Sequence, residues 1–418
     1  MPDIAGLPAR RAALQVLDAV LRRGETMDVA LPRAAGRLRP ADAALARAIA
    51  GESLRWLTDL DALIDGATRQ RLADDAKVRS VLRLMLAQAL RLDTPPHAVV
   101  STGLELLMGG PRRLAHGVFS TLMKQDVRLP VLPSLPDTVG DRWAHQWPDR
   151  VDAIRQGLAE LPPLDIMLRD PASEAEWAER LGGTPLGHGR LRLPRGQAVT
   201  ELPGYAQGAW WVQDMAATIP ASLLGDGAGQ RVLDLCAAPG GKSLQLAAAG
   251  WEVIALEISK RRLERLRDNL DRTGLAAQIV TADALQWQPQ EKFDAILLDA
   301  PCSATGTCRR HPDVLHRFLP GRLDEMTQLQ QALCDRAIDW LKPGGRLVYA
   351  VCSLEREEGE EQASSLASDR RLEPQPISPE ELPASLDPTS EGWLRTDPGM
   401  MAEAGGMDGF FAARFVRR

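Results

Sequence analysis

Cysteine is scarce in this chain: five in 418 residues, an odd number, set in apolar or glycine-rich surroundings. That excludes a disulfide framework of the secreted kind, and all five are expected to be free thiols. An uncharged apolar run of the ~18 residues a membrane span needs is also missing, and the opening MPDIAGLPAR has no apolar leader core. A cytoplasmic protein that meets no membrane is expected. Zinc-knuckle spacing is absent, because CSATGTC sets Cys302 and Cys308 too far apart and the six histidines are scattered, so no metal is expected. Nor is there an excess of positive charge. The net charge of −6 argues against a basic coat that grips nucleic acid everywhere.

What is present is an ordinary globular composition, 44% hydrophobic and 25% charged, in a chain too long for a single core. Two or three domains are expected. Charge is unevenly spread: up to Pro130 there are 19 Lys and Arg against 14 Asp and Glu, and beyond it 31 against 42. A basic front on an acidic body suggests a front domain that meets a polyanion. That front reads as helices. Val78, Val81, Leu82, Met85, Ala89 and Leu92 recur at helical spacing, and Leu14, Leu17 and Leu21 repeat the pattern before Gly24 stops it. Such stripes are core packing. Only exposed arginines, such as Arg10, Arg11, Arg112 and Arg113, are candidates for phosphate. LPVLPSLPD, Leu129 to Asp137, carries proline at every third position and marks a stiff domain boundary. The expected domains are therefore 1–130, helical and RNA-binding; 138–208, a small α/β connecting piece; and 209–418. Pro374 to Pro398, rich in Pro, Ser and Glu, is expected as a surface excursion.

From Trp210 onward, near-continuous apolar strands alternate with helical stretches, which implies a parallel, doubly wound sheet with ligands at the carboxyl ends of its strands. The turn Cys236-Ala237-Ala238-Pro239-Gly240-Gly241-Lys242 follows the first of them, and its missing Cβ atoms would let a ligand approach the backbone. It has neither G-x-G-x-x-G nor G-x-x-x-x-G-K-[ST], so pyrophosphate is disfavoured. Glu257 ends the second strand, where an acid can accept both ribose hydroxyls. Asp283 ends the third, where a carboxylate can meet an adenine amino group. A glycine-rich turn, a ribose acid and an adenine acid without a phosphate reader describe a site for S-adenosylmethionine, with an NAD-type fold as the alternative.

DLCAAPGGKS, LLDAPCSATGTCRRHPD, LKPGGRLVYAVCSLEREEGEE and the tail DGFFAARF resemble the successive motifs of the RNA (cytosine-5)-methyltransferases of the NOL/NOP2/Sun group, and the helical front is similar to the antitermination factor NusB. The resemblance covers nearly the whole chain. It implies an all-α NusB-like domain followed by an α/β Rossmann-like, S-adenosylmethionine-dependent methyltransferase domain. It implies ribosomal RNA, 16S above all, as the partner, and a monomer is expected. Three positions depart from the pattern: Val351 where threonine is common before the second cysteine, Gly359 where asparagine usually follows Glu358, and VFSTLMKQ where the front domain usually closes with an NAVLR-like helix.

The chemistry explains a need for two thiols without the family. Carbon 5 of cytosine is a poor nucleophile, so a thiolate adds to carbon 6 and makes an enamine that can attack a methyl sulfonium. Aromaticity returns only when the carbon 5 proton is removed and the thiol expelled, which needs a second group. The spacing does not say which of Cys302 and Cys352 attacks: the PCS position is the nucleophile in DNA cytosine-5 enzymes. The resemblance implies the reverse, attack by Cys352 and assisted release by Cys302. Asp299, ending the strand before Cys302, can hydrogen-bond N3 and the 4-amino group. Lys242 can face the methionine carboxylate or the substrate, and Arg309-Arg310 can brace a phosphate. Cys308 and Cys334 sit at no strand end and are expected as small buried hydrophobes. The competing classes are a DNA cytosine methyltransferase, for which the residues past Cys352 leave little room for target recognition, and a non-catalytic RNA-binding factor, which leaves both thiols without a purpose.

Overall fold

The computed structural model describes residues 4–418 and divides into two compact units. Of the described residues, one comprises 4–160 with Cys308–Leu319, the other Leu161–Thr307 with Pro320–Arg418. The helical unit is built from α1 (Leu7–Arg23), α2 (Met27–Ala35), α3 (Pro40–Arg55), α4 (Leu57–Gly66), α5 (Lys77–Arg91), α6 (Pro96–Gly103), α7 (Gly109–Lys124), α8 (Asp137–Gln146) and α9 (Val151–Ala159). Gly24 closes α1 in the left-handed region, at φ 65°, with its amide on the Val20 carbonyl.

The stripe on α5 is wider than its spacing suggests. Leu82, Met85 and Leu86 pack with Trp56, Leu60 and Phe119, while Leu84 faces Val16, Leu17 and Ile49 on another side. A helix buried on two sides must also bury charge, and Arg79 and Arg83 are buried there. Arg79 bonds Asp65 through two nitrogens at 2.6 and 2.9 Å and Asp61 at 3.1 Å, while Arg83 grips Asp61 at 2.7 Å through two nitrogens. Arg10, expected at the surface, is likewise buried and donates to Gln88 Oε1 at 2.8 Å. Arg112 pairs with Glu105 at 3.0 Å and is half-buried, while Arg11 and Arg113 are exposed.

The proline-rich stretch is not the limit of the helical unit. Ser134 N donates to Asp59 at 2.9 Å and Arg155 Nε to the Pro133 carbonyl at 3.0 Å, so α8 and α9 continue the same body to Glu160. The piece expected at 138–208 is thereby split between the two units.

The second unit opens with β1 (Leu164–Leu168), α10 (Glu174–Leu181), β2 (Thr184–Gly187), β3 (Arg190–Leu193) and β4 (Trp210–Val212), whose strands form an antiparallel sheet ordered β2-β3-β1-β4. The main sheet takes β5 (Arg231–Leu235), β6 (Glu252–Glu257), β7 (Gln278–Thr281) and β8 (Phe293–Asp299), with α11 (Met215–Ser222), α12 (Gly241–Ala248) and α13 (Lys260–Thr273) between or before them. Cys308–Leu319, with α14 (Asp313–Arg317), packs in the helical unit, where Asp313 accepts from Met27 N at 3.1 Å. There follow α15 (Leu323–Trp340), β9 (Leu341–Val351), α16 (Glu360–Ala367), β10 (Leu372–Pro374), β11 (Leu394–Arg395) and β12 (Phe411–Arg417). The sheet order is β10-β12-β9-β8-β5-β6-β7: the five strands from β9 to β7 are parallel and β12 runs antiparallel to β9. The order reverses between β5 and β8, which is where a crevice opens at strand carboxyl ends.

The Arg79 hydrogen bonds hold the Asp65 carboxyl below its ordinary range, so the stability this pair supplies is present above that range and lost as pH falls through the depressed value. Asp65→Ala is expected to cost roughly 2 kcal/mol, below the usual cost of orphaning a buried charge because Arg79 keeps Asp61. Urea unfolding at neutral and acid pH checks this: the variant should lose less stability on acidification than the parent.

Candidate active site

The carboxyl ends of the parallel strands enclose a cavity of about 430 Å³. Cys236 follows β5, Glu257 ends β6, Asp283 lies just past β7, Asp299 ends β8, and Cys302 and Cys352 follow β8 and β9; all six line it. Ala238 lines it as well, whereas Ala237, Pro239, Gly240, Gly241 and Lys242 do not. The glycines have packing reasons of their own. A Cβ at Gly240 would stand 2.3 Å from Leu266 Cδ1 of α13, at a φ of +106° that disfavours any side chain, and one at Gly241 would meet Gln213 at 3.2 Å.

Two acids stand ready for a ligand. Glu257 is buried; its Oε1 accepts from Ser259 N at 3.0 Å, while Oε2 lies 3.0 Å from Arg262 Nη1 without the geometry of a hydrogen bond. A buried carboxylate oxygen with no donor is the acceptor that ribose hydroxyls would satisfy. Asp283 accepts from Leu285 N at 2.9 Å and Gln286 Nε2 at 3.1 Å, which fixes its direction and leaves lone pairs for an amino group. Between them Leu256, Ala282, Leu285 and Pro301 offer apolar walls for a flat base. These residues fit an adenosine.

Lys242 is buried beside the cavity. Its Nζ donates to Asp299 Oδ2 at 2.8 Å and stands 5.1 Å from the Phe410 ring centre. Burial disfavours the ammonium, but Asp299, with smaller help from Cys352, outweighs that and raises its pKa. Asp299 Oδ1 receives no hydrogen bond among the described residues and remains open to a ligand. Deeper in, burial pushes the Asp234 carboxyl of β5 up to about 7, against the Ser243 hydroxyl that donates to it. The Cys236 thiol, pushed up to about 12 by burial and by Glu257 and Asp299, is inert.

The two remaining thiols meet. Ala300 N donates to Ala350 O at 2.9 Å, continuing the β8–β9 ladder past its last paired residues, Asp299 and Ala350, and Cys302 Sγ comes to 3.6 Å from Cys352 Sγ. The loops beyond are tied together: Gly306 N donates to Cys352 O at 3.1 Å, Leu354 N to Thr305 Oγ1 at 3.0 Å, and Ser303 Oγ lies 3.0 Å from Ser353 Oγ. The contact with Cys352, then burial, holds the Cys302 thiol well above its ordinary pKa. The two departures near the second cysteine have packing explanations. Val351 is a core residue opposite Phe411, and a Cβ at Gly359 would fall 2.4 Å from Arg395 Nη2 and 3.0 Å from Phe411. Cys334 packs into the main core and Cys308 is buried in the helical unit, as expected. Arg309 is also buried there, its carbonyl accepting from Arg55 at 2.9 Å, so it presents no cation to a phosphate. Sequence reasoning passed over Asp234, Phe410, Ser303, Gln330 and Glu358. Asp234 left a trace as a charge inside the apolar run RVLDL, and Ser303, Phe410 and Glu358 lie within the quoted motifs without having been given a role.

A parallel sheet reversing between β5 and β8, with acids at the next two strand ends facing an open cavity, defines the class: an S-adenosylmethionine-dependent methyltransferase. Residues 221–416 match the family model described as 16S rRNA methyltransferase RsmB/F, and residues 7–108 that of the NusB family. The ribosomal RNA small subunit methyltransferase B of Klebsiella pneumoniae (strain 342) is 34% identical over 98% of both chains. That of Xanthomonas campestris pv. campestris is also 34% identical, over 86% of this chain and 87% of its own. Among solved structures, PH0851 superposes with a TM-score of 0.77 at 22% identity over 98% of each chain, a likeness of fold. The chain belongs to the RsmB/F methyltransferase family, with a NusB-family domain at its front.

Glu257→Ala and Asp283→Ala should each raise the S-adenosylmethionine dissociation constant about tenfold or more, since losing a charged acceptor costs roughly 1.5–3 kcal/mol. Calorimetric titration measures it, and unchanged affinity in a folded double variant would remove these acids from the site.

Proposed function

We propose that the enzyme methylates carbon 5 of a cytosine in ribosomal RNA of the small subunit, the RNA named for its relatives, acting in the cytoplasm as a monomer through a covalent protein–RNA adduct. The observation that carries this is the pair of thiols 3.6 Å apart at the mouth of the cofactor cavity. A base must leave its stack to enter such a site. The open Asp299 Oδ1 can accept from the 4-amino group, and from N3 once N3 takes up a proton during attack on carbon 6, while Lys242 holds the other oxygen of that carboxylate.

Cys352 adds to carbon 6 as its thiolate, forming a C–S bond and leaving an electron-rich enamine. Bound S-adenosylmethionine would supply the electrophilic methyl group to carbon 5, its S–CH3 bond breaking so that the sulfur leaves as the neutral thioether of S-adenosylhomocysteine. Loss of the carbon 5 proton re-forms the C5–C6 double bond, and the sulfur departs with the C6–S electron pair. Cys302 is the neighbouring group placed to assist that release. Removing a proton-transfer group usually slows its step ~10²–10⁴-fold, enough to trap the adduct.

The two cysteines should therefore fail differently. Cys352→Ala should give neither methylated RNA nor adduct. Cys302→Ala should give a denaturant-resistant protein–RNA band that forms only with S-adenosylmethionine present. Trapping in Cys352→Ala instead would reverse the two roles, and full activity in both variants would defeat the reaction itself.

A further inference from the structure

Two thiols in contact, on equivalent strand ends, need something to make them unequal, and the two sides of the pair are built differently. Lys242, whose Nζ is held by Asp299 at the end of β8, has its ammonium favoured by Cys352 as well. On the Cys302 side stands Glu358, a fully buried carboxylate whose side-chain partners are all donors. Its Oε1 accepts from Ser303 N at 2.9 Å and Gln330 Nε2 at 3.1 Å, and its Oε2 accepts from Ser303 Oγ at 2.6 Å. Gln330 Nε2 also donates to the Pro301 carbonyl at 2.9 Å, and the Tyr349 hydroxyl donates to the Glu358 carbonyl at 2.6 Å. Both residues flanking Cys302 are thus fastened to one cluster, and the cluster's centre carries a negative charge.

We propose that Glu358 is a positioning residue that sets the division of labour between the thiols: it clamps the Cys302 loop and keeps Cys302 the protonated member of the pair, leaving attack on carbon 6 to Cys352. This rests on the methylation chemistry proposed above. Cys302 shares its cavity with Cys236, Glu257, Arg262, Asp283, Asp299 and Cys352. Tyr349 comes from β9, Cys352, Glu355 and Glu358 from the loop after it, and Asp299 from the end of β8 with Lys242 of α12 bound to it. Arg395 donates to the Ser353 carbonyl and pairs with Glu360 at 2.7 Å. Of these, Cys352 and then Glu358 are the charges that act to hold the proton on Cys302, beside burial itself. When Cys352 becomes a neutral thioether, its hold on that proton ends. Cys302 can then release its proton to solvent, and the thiolate formed beside Glu358 is a stronger base for the carbon 5 proton.

The test is alkylation of Cys302 by iodoacetamide across a pH series in the Cys352→Ala protein, read at the Cys302 peptide by mass spectrometry. Adding Glu358→Gln should move the midpoint down by about one pH unit, tenfold more thiolate at a given pH, with cofactor affinity kept. Glu358→Asp, which keeps the charge, should restore most of the shift. An unmoved midpoint in Glu358→Gln, or an equal drop in the Asp variant, overturns the assignment. Should the Gln variant fail to fold, Ser303→Ala removes the hydroxyl that donates to the carboxylate and also meets Ser353 and Thr305, so the carboxylate's charge is less offset and the midpoint should rise; a fall or no change counts against the proposal. Because alkylation involves no RNA, a reversed trapping pattern in the cysteine variants would overturn the methylation roles without moving this midpoint.

Discussion

The parallel pairing of β8 with β9 is the constraint on which the site depends. The register Leu297 with Val348, Leu298 with Tyr349 and Asp299 with Ala350 brings two strand ends level that lie fifty residues apart in sequence. Parallel strands present their carboxyl ends on one side of the sheet, so Asp299, Cys302 and Cys352 emerge together. The pairing is buried on both faces by Ile296, Leu298, Leu347 and Tyr349 on one side and Ala295, Leu297, Val348 and Ala350 on the other. A slip of one residue would exchange these two sets and carry the second thiol out of line with the first. Register therefore fixes catalytic geometry and core packing in a single choice.

On this frame the site is ordered by charge in a buried setting. Asp234 in β5, Glu257 and Asp299 at the ends of β6 and β8, and Glu358 in the loop after β9 are all acids of this side of the sheet, and Lys242 is buried with its Nζ on Asp299. Each acid is answered in a different way: Asp234 by a pKa near neutrality, Asp299 by an ion pair, Glu358 by converging donors, and Glu257 by an oxygen left for the cofactor. A cofactor that carries its own positive charge and hydroxyl donors suits a cavity with acceptors to spare. The inert Cys236 shows that a thiol at a strand end is not reactive by place alone, since burial among carboxylates suppresses its ionisation.

Much of this was legible in the chain. The alternation of apolar strands and helices named the doubly wound sheet, and Glu257 and Asp283 were singled out because strand ends have a definite place in such a fold; both line the cavity, Asp283 two residues past its strand. Cys302 and Cys352 stood out because PCS and VCS end two strands in a chain otherwise poor in cysteine. Reading failed where burial ran against residue type. Arg10, Arg79 and Arg309 are interior, and no local pattern announces the Gln88 or Asp65 that receives two of them. The glycines of the Ala238–Lys242 turn, read as room for a ligand, turned out to be shaped by Leu266 and Gln213 from elsewhere in the chain.

What the sequence determined by itself was local and periodic: which segments are strands or helices, where each ends, and which reactive side chains stand at those ends. These follow from the neighbours of each residue and from the two- or 3.6-residue repeats of a backbone. Only the tertiary structure decided which ends meet. That Cys302 touches Cys352 rather than Cys308, that Lys242 turns to Asp299, and that Glu358 closes on Ser303 are results of strand order and register, set by burial of the whole sheet. No stretch of the chain contains that information, because each such contact joins residues about fifty positions apart and gains its strength from water excluded by the rest of the fold.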